Sequence, residues 1–285
     1  MMKRQKKLLI KFARKSGSSL FLSTGIISFS ACTVQSSTSN HYLTAEKLWT
    51  EKNYPVAVEE FDHVVKESPN SAIGLQALWR SAMTRTLFLG ESEEAVREFE
   101  TFIERAGSSE LAPQAQQEIG EIYFSRLAQY SKAINFYQKL LELHKFPPDE
   151  EAKFMYRVAR SYFLTNQIKR SIEWLEKLSV LYPKSTIYER AQFDLANAWY
   201  ALGDSDKGAY SKGLKLFREL SQRTQYKNHT LYVGALFGEA STLEELEQFN
   251  EADLIFKKIE NDYPAPNIIK IRKLRIEERR KKKRK

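Results

Sequence analysis

The chain contains a single cysteine and few of the residues that interrupt regular structure. Cys32 has no second cysteine to pair with, so no disulfide bond can form within the chain. Eleven glycines and eight prolines among 285 residues leave little room for linkers or low-complexity segments. Hydrophobic residues, at 42%, are sufficient for a folded protein, and the 28% of charged residues suit long solvated helix faces.

Residue groupings typical of enzymes are also missing. The sequence has no glycine-rich phosphate loop, no nucleophile elbow and no His-Glu-x-x-His motif. None of the four histidines has a second histidine or a cysteine at a spacing typical of metal ligands. They are His41, His63, His144 and His229. Adjacent acidic residues such as Glu244-Glu245 diverge on a helix, so we expect them to be solvated. We therefore predict no enzymatic activity, no metal site and no cofactor.

Positive charge is concentrated at the two ends of the chain, although the net charge is +9. Residues 1–31 contain seven Lys/Arg and no acid, and residues 270–285 contain eleven Lys/Arg and two glutamates. The part between them, 32–269, has 27 basic and 34 acidic residues. A nucleic-acid-binding domain has its positive charge on a folded face. We therefore predict that nucleic acid is not a partner.

The N-terminal segment has the three parts of a bacterial export signal. A strongly basic start is followed by an apolar stretch over residues 20–29 and by small residues before Cys32. At about a dozen residues, the apolar part is too short for a membrane span, which needs roughly 17–25. Phe29-Ser30-Ala31-Cys32 resembles a lipobox, in which the cysteine is lipidated and becomes the new N-terminus. We predict that 1–31 is a lipoprotein signal peptide; plain secretion is the alternative.

The residues after Cys32 indicate where such a lipoprotein would be placed. Thr33 stands where aspartate would favour retention, and by resemblance to enterobacterial lipoproteins this implies sorting to the outer membrane. Residues 32–40 are predicted to form a flexible polar tether. The predicted location is the periplasmic face of the outer membrane, where acyl chains provide the anchor. A cytoplasmic adaptor with a basic start that is not a signal is a further alternative.

A small residue followed four positions later by a bulky apolar residue occurs six times. The pairs are Ala57/Phe61, Ala95/Phe99, Ala133/Tyr137, Ser171/Leu175, Gly213/Phe217 and Ala252/Phe256. The small residues are 38, 38, 38, 42 and 39 positions apart, and a period of roughly 20–50 residues is the signature of a solenoid. Each period contains two amphipathic helical patterns separated by turn signals. We predict an all-α solenoid of six helix pairs over 41–266, least regular near Gly213.

The pattern resembles the tetratricopeptide repeat, which has small residues at two packing positions, aromatic residues between them and a proline at the end. The fullest match consists of Ile119-Gly120, Tyr123, Ala133, Tyr137 and Pro147. The resemblance covers about residues 41–264 and implies a scaffold that binds other proteins.

The repeats and the lipoprotein signal together resemble the BamD family, the lipoproteins of the outer-membrane β-barrel assembly machinery. The segment from Ala45 to Phe61 looks like the start of that family, and Tyr182-Pro183-Lys184-Ser185 is typical of the group. The resemblance implies the barrel-assembly machinery or unfolded outer-membrane proteins as partners. The CpoB family of cell-division scaffolds shares these local motifs and implies the coordination of peptidoglycan enzymes instead. A generic protein-binding adaptor is the third interpretation.

In a repeat of this kind the first helix of each pair lines the concave groove. Six aromatic or arginine residues are predicted there as partner contacts: Trp49, Arg80, Phe124, Tyr156, Arg160 and Tyr200. Tryptophan, tyrosine and arginine dominate binding hot spots, so a groove lined by them could bind an extended peptide. Core packing is the commoner role for aromatic residues and is the alternative.

The C-terminal tail, 267–285, begins with scattered apolar residues and ends in a run of seven basic residues. One interpretation is a short capping helix that frays into a disordered basic run. The other is contact with an anionic surface, such as phosphorylated lipid, cell-wall polymer or an acidic partner, which salt would weaken.

Overall fold

The computed structural model describes residues 29–107, 109, 111–143, 145–224 and 228–283, with side chains from residue 37 onward except that of Lys207. All regular elements in these ranges are helical. A π-helical turn, Arg85–Leu89, follows the third α-helix. The described ranges contain thirteen α-helices. They are α1 (Phe29–Thr50), α2 (Tyr54–Glu67), α3 (Ala72–Thr84), α4 (Ser92–Ala106), α5 (Ala112–Ser125), α6 (Tyr130–Leu143), α7 (Pro148–Leu164), α8 (Ile168–Leu181), α9 (Tyr188–Leu202), α10 (Lys207–Thr224), α11 (His229–Glu245), α12 (Phe249–Ile259) and α13 (Pro266–Lys283).

The helices form six consecutive pairs, α1–α2 to α11–α12, and α13 packs on the last pair. Each helix contacts the next one in the sequence, and first helices of neighbouring pairs also meet, as α7 and α9 do. Because contacts are confined to neighbouring units, the chain needs no single central core. The predicted all-α solenoid of six helix pairs is confirmed.

The recurring small and bulky residues hold adjacent helices together. All twelve are buried, and the rings of Phe61, Phe99, Phe217 and Phe256 have no exposed surface. Glycines on first helices give these rings room. A Cβ atom at Gly120 would lie 3.0 Å from the Tyr137 ring, and one at Gly238 would lie 2.4 Å from the Phe217 ring.

The turn inside most pairs depends on one residue in the left-handed conformation. Lys52, Gly90, Ala128 and Asn166 have φ values of 64°, 74°, 50° and 59°, and they are spaced 38 positions apart. Glu247 adopts the left-handed conformation in the turn of the sixth pair, with a φ of 60°. This conformation turns the chain so that a following N–H can reach a carbonyl near the end of the first helix. The 38-residue period therefore reappears in the backbone.

The fifth pair lacks this turn, in agreement with its predicted irregularity. Gly203, at the end of α9, is not left-handed, because its φ is −58°. Gly203 is required for a different reason: a Cβ atom there would lie 2.2 Å from the ring of Tyr210. The Tyr210 hydroxyl donates a hydrogen bond of 2.6 Å to Asp204, which holds the longer connection against the end of α9.

The N-terminal predictions fall partly outside the structure. Residues 1–28 of the predicted signal peptide lie outside the described residues, as does the side chain of Cys32. Residues 32–40 form part of helix α1 where a flexible tether was expected. The Thr38 hydroxyl is buried and donates to Glu67 at 2.8 Å, so polar residues of this segment pack on α2. None of the described helices is long and apolar enough to cross a membrane.

The C-terminal tail forms helix α13, the cap, up to Lys283, where one interpretation of the sequence expected a disordered basic run from Arg279. Ile269 and Ile276 are buried among the apolar residues of the last pair. Arg272 and Arg275 each approach the Glu244 carboxylate to 3.1 Å, and that side chain has no exposed surface. The expectation that Glu244 would be solvated is therefore wrong, because the cations that neutralise it come from a distant part of the sequence.

Four further cations of α13 also meet acceptors on α11, on α12, in the turn between them or in the residue that follows α12. Lys273 pairs with Glu260 at 3.2 Å, and Arg279 with Glu245 at 3.0 Å. Lys283 pairs with Glu247. Five of the nine described cations of α13 thus form ion pairs within the protein, at the acidic end of the solenoid.

Replacing Gly238 with alanine tests the packing of the repeat. The added methyl group has to displace the buried Phe217 ring, and overpacking of this kind costs about 1–3 kcal/mol, against a gain of roughly 0.5–1 kcal/mol in helix propensity. We expect a lower urea midpoint, followed by circular dichroism. Gly208→Ala, at an exposed site in α10, is the control and should leave the midpoint unchanged or raise it.

Replacing Arg272 with methionine tests the cap. Because Arg275 still pairs with Glu244, losing the Arg272 hydrogen bond costs about 2 kcal/mol, so α13 should lose protection against amide hydrogen exchange while α3 keeps it. Lys281→Met removes an exposed cation from the same helix and serves as the control. Equal exchange in the two variants would contradict a structural role for the Arg272–Glu244 pair.

Candidate functional site

The six predicted partner contacts all lie on first helices. The surface formed by α1, α3, α5, α7, α9 and α11 is called the first-helix face below. Trp49 is on α1, Arg80 on α3, Phe124 on α5, Tyr156 and Arg160 on α7, and Tyr200 on α9. The structure distributes them over four separate clusters along this face. Their binding of a partner stays a prediction.

At the N-terminal end, Arg80 is held by neighbours within the protein. Its Nε and Nη2 atoms donate to the two oxygens of Glu46 at 2.6 and 2.7 Å. The guanidinium lies 4.5 Å from the centre of the Trp49 ring, and 11% of the Arg80 side chain is exposed. This bidentate pair joins α1 to α3, so Arg80 acts as a structural link between the first two pairs.

An aromatic cluster lies beside this link. Tyr54 and Phe88 stack with ring centres 4.1 Å apart, and Trp49 packs edge-on against both. Phe88 lies in the π-helical turn after α3 and is 41% exposed. The sequence prediction did not include Tyr54 and Phe88, because nothing in the local pattern indicates a π-helical turn, which shifts the following residues to a different face.

The α5–α7 contact repeats the arrangement of the first two pairs. Arg157 donates from Nη2 to Glu121 at 2.9 Å, and its guanidinium lies 4.4 Å from the centre of the Phe124 ring. In both cases an acid and an aromatic residue three positions later, Glu46/Trp49 and Glu121/Phe124, receive an arginine from the next first helix. Arg157 was absent from the predicted contacts, although this Glu-x-x-aromatic spacing could have indicated it.

The third cluster, between α7 and α9, is centred on the buried carboxylate of Asp194. The Tyr156 hydroxyl donates to Asp194 Oδ2 at 2.5 Å, and the Nε atoms of Arg160 and Arg190 both lie 3.6 Å from the same oxygen. Arg190 Nε also donates to the Tyr156 hydroxyl at 3.3 Å. Burial and the nearby Asp194 raise the pKa of Tyr156 to about 12, so the phenol is protonated at neutral pH and can donate. These four residues are called the Asp194 cluster.

Tyr200 lies further along the face and is in contact with the cap. Its ring packs edge-on against Tyr210 with centres 5.6 Å apart, and it lies next to Arg272 of α13. Arg272 therefore links Tyr200 to the buried Glu244. This network secures the C-terminal end of the first-helix face.

Two of the histidines, His41 and His63, are close together in space although they are far apart in the sequence. His41 and His63 stack with ring centres 5.2 Å apart, and His41 Nδ1 lies 2.5 Å from Glu60 Oε2. The hydrogen bond to Glu60 raises the pKa of His41. Within the described part of the chain, no three His, Cys, Asp or Glu side chains are grouped to hold a metal ion.

Comparison with known proteins identifies the architecture. Residues 113–145, which span α5 and α6, match the family model of the tetratricopeptide repeat. The C-terminal part of a TPR repeat-containing protein from Cytophaga hutchinsonii is similar in structure, with a TM-score of 0.57 and 17% identity over 77% of this chain and 78% of that one. Residues 113–145 thus match one tetratricopeptide repeat, and the chain has the fold of a tetratricopeptide-repeat solenoid. A comparison with curated proteins finds no matching sequence.

Two further solenoids of this type have a similar fold. YrrB, described as a TPR protein with an unusual peptide-binding site, has a TM-score of 0.52 and 17% identity, over 74% of this chain and 96% of its own. PilW, described as a type IV pilus biogenesis factor, has a TM-score of 0.51 and 13% identity, over 80% and 94%. At such identities the likeness shows the tetratricopeptide-repeat fold alone. That fold is suited to binding other proteins.

The His41–Glu60 pair predicts a pH dependence for the attachment of α1. Because the pKa of His41 is raised above 6.5, the pair stabilises the fold below that pH and loses its effect as pH rises through the folded-state value. Glu67, on α2, also faces the ring, 3.9 Å from Nε2. We expect amide protection in α1, corrected for intrinsic exchange, to fall as pH rises from 6 to 8.

His41→Gln should remove this dependence, whereas His229→Gln, at an exposed position, should retain it. A fall in α1 protection that survives His41→Gln would assign the pH dependence to another group.

Proposed function

We propose that the protein is a non-catalytic scaffold that binds an extended segment of a partner protein along its first-helix face. The Asp194 cluster is the observation on which this proposal rests. Two arginines there remain partly exposed, with 26% of the Arg160 side chain and 49% of the Arg190 side chain open to solvent. Arginine and aromatic residues are enriched at binding hot spots, and a solenoid presents them on one continuous surface.

The proposed place of action is the periplasmic face of the outer membrane, in the assembly of β-barrel proteins. The basic start, the short apolar segment and Cys32 support an anchored lipoprotein. The resemblance of the segment from Ala45 to Phe61 to the BamD family supports the barrel-assembly role. In the structure this segment forms the end of α1, the left-handed turn at Lys52 and the start of α2.

Contact of the C-terminal tail with an anionic surface has less support. Arg272, Arg275 and Arg279 are engaged by glutamates of α11. Among the described cations of α13, Lys270, Lys281 and Lys282 are exposed and make no ion pair. Within the described part of the tail, such a contact would depend mainly on these three lysines.

Site-specific photocrosslinking in cells tests the proposed face and the proposed partner. A photoreactive phenylalanine analogue at Phe124 or Phe193 would sit on first helices, and one at Trp174 would sit on the second helix α8 as a control of similar exposure. We expect crosslinks from Phe124 and Phe193 to a barrel-assembly subunit or an unfolded outer-membrane protein, and none from Trp174.

The other outcomes are equally informative. Recovery of peptidoglycan or division enzymes from the first-helix positions would support the CpoB-like alternative and reject the barrel-assembly role. Crosslinks from Trp174 alone would reject the first-helix face. Mass spectrometry of the mature protein should show a lipidated N-terminal Cys32, and an intact residue 1 would reject the outer-membrane location.

A further inference from the structure

The two arginines of the Asp194 cluster have unused hydrogen-bonding capacity. The closest approach of each to Asp194 is from Nε, at 3.6 Å, which is longer than the 2.7–3.2 Å of an N–H···O hydrogen bond. The short bond to the carboxylate comes instead from the Tyr156 hydroxyl, at 2.5 Å. No hydrogen bond from the terminal Nη atoms of Arg160 or Arg190 is found among the described residues. Each guanidinium therefore retains its two NH₂ groups for a ligand.

Structural arginines elsewhere in the protein have different surroundings. Arg80 binds Glu46 through two nitrogens, and Arg85 binds carboxylates of three residues, Asp62, Glu91 and Glu98. Their side chains are 11% and 17% exposed. Arg160 and Arg190 share one carboxylate and come no closer to it than 3.6 Å, whereas the linking Arg157, which is 30% exposed, hydrogen-bonds to Glu121 at 2.9 Å. Their guanidinium groups therefore lack the several hydrogen bonds to carboxylates that Arg80 and Arg85 make.

The charge of the cluster indicates which anion it would take. Two guanidinium groups face one carboxylate, so the cluster has a net charge of +1. The neighbouring Arg157 is already paired with Glu121. A single carboxylate would neutralise the cluster, whereas a phosphate group, with a charge of −1.5 to −2 at pH 7, would exceed it.

The surroundings of the arginines are apolar. The Arg160 guanidinium lies 5.6 Å from the centre of the Phe163 ring, and that of Arg190 lies 5.5 Å from the centre of the Phe193 ring. Both rings are partly exposed. Stacking on a ring restricts a guanidinium and reduces its hydration, which strengthens its bond to a carboxylate. A ligand that reaches both arginines would also contact these rings.

We infer that the Asp194 cluster binds an acidic side chain of the partner segment, an aspartate or glutamate with an apolar neighbour. The inference rests on the proposed function, which supplies an extended segment on the first-helix face. Both arginines lie within 3.6 Å of one Asp194 oxygen, so a single carboxylate above it can accept from the two of them. The site adds sequence selectivity to a face that would otherwise bind through packing.

Two labelled peptides test the inference on the full chain. Both are extended decapeptides with two phenylalanines flanking the central residue, which is glutamate in one and glutamine in the other. We expect the glutamate peptide to bind at least about tenfold more tightly by fluorescence anisotropy, because a carboxylate receives charge-assisted hydrogen bonds from both arginines. The difference should shrink with added salt.

Substitutions locate the effect. Arg160→Gln or Arg190→Gln should reduce the affinity for the glutamate peptide to that for the glutamine peptide. Arg97→Gln, which removes an exposed arginine from the second helix α4, should leave it unchanged. Asp194→Asn removes the internal carboxylate and should tighten binding of the glutamate peptide, whereas an arginine–aspartate link with no ligand role predicts lower stability and no gain in affinity.

The failures of the two proposals can be told apart. Equal binding of the two peptides, unchanged in the arginine variants, would overturn the inference and leave the scaffold proposal standing. Absence of binding by either peptide would also overturn it, and photocrosslinking at Phe124 and Phe193 would then decide the scaffold proposal separately. If Asp194→Asn does not fold, the arginine variants and the peptide pair still give the answer.

Discussion

The structure depends on the close approach of successive helices at one small residue per unit. At Ala57, Ala95 and Ala133 the side chain is fully buried, and the bulky residue four positions later fills the space beside it. Burial of an aromatic or leucine side chain contributes roughly 1.5–3 kcal/mol, but only if the neighbouring backbone can come close enough. Because this contact recurs with the left-handed turn every 38 residues over four units, the helix pairs stack in a regular order.

Polar interactions on the first-helix face form a second level of organisation on top of this packing. Arginine–carboxylate pairs join α1 to α3 and α5 to α7, and each guanidinium also covers an aromatic ring. Between α7 and α9 the same residue types are arranged with one acid for two arginines. The arginines at this position are therefore not fully hydrogen-bonded within the protein, and they present hydrogen-bond donors at the surface.

The fold could be predicted further than the site. Periodicity alone indicates the helix pairs and the irregular fifth unit, because packing at 38-residue intervals leaves a pattern in the sequence. It does not indicate that Arg272 and Arg275 neutralise Glu244, or that His41 meets Glu60, because these partners share no local pattern. The same limit applies to Phe88, whose exposure depends on a π-helical turn, and to residues 32–40, whose hydroxyls find acceptors on α2.

The sequence by itself determined an all-α repeat of six helix pairs and placed the six candidate residues on first helices. Both follow from hydrophobic spacing, which reflects short-range geometry. Only the tertiary structure decided which of those side chains have their hydrogen-bonding groups satisfied within the protein. Arg80 donates to Glu46, and Tyr200 contacts the cap. Arg160 retains free donors beside Asp194. The physical reason is that hydrogen-bond saturation depends on partners from neighbouring units, whose side-chain positions are set by how the helices stack.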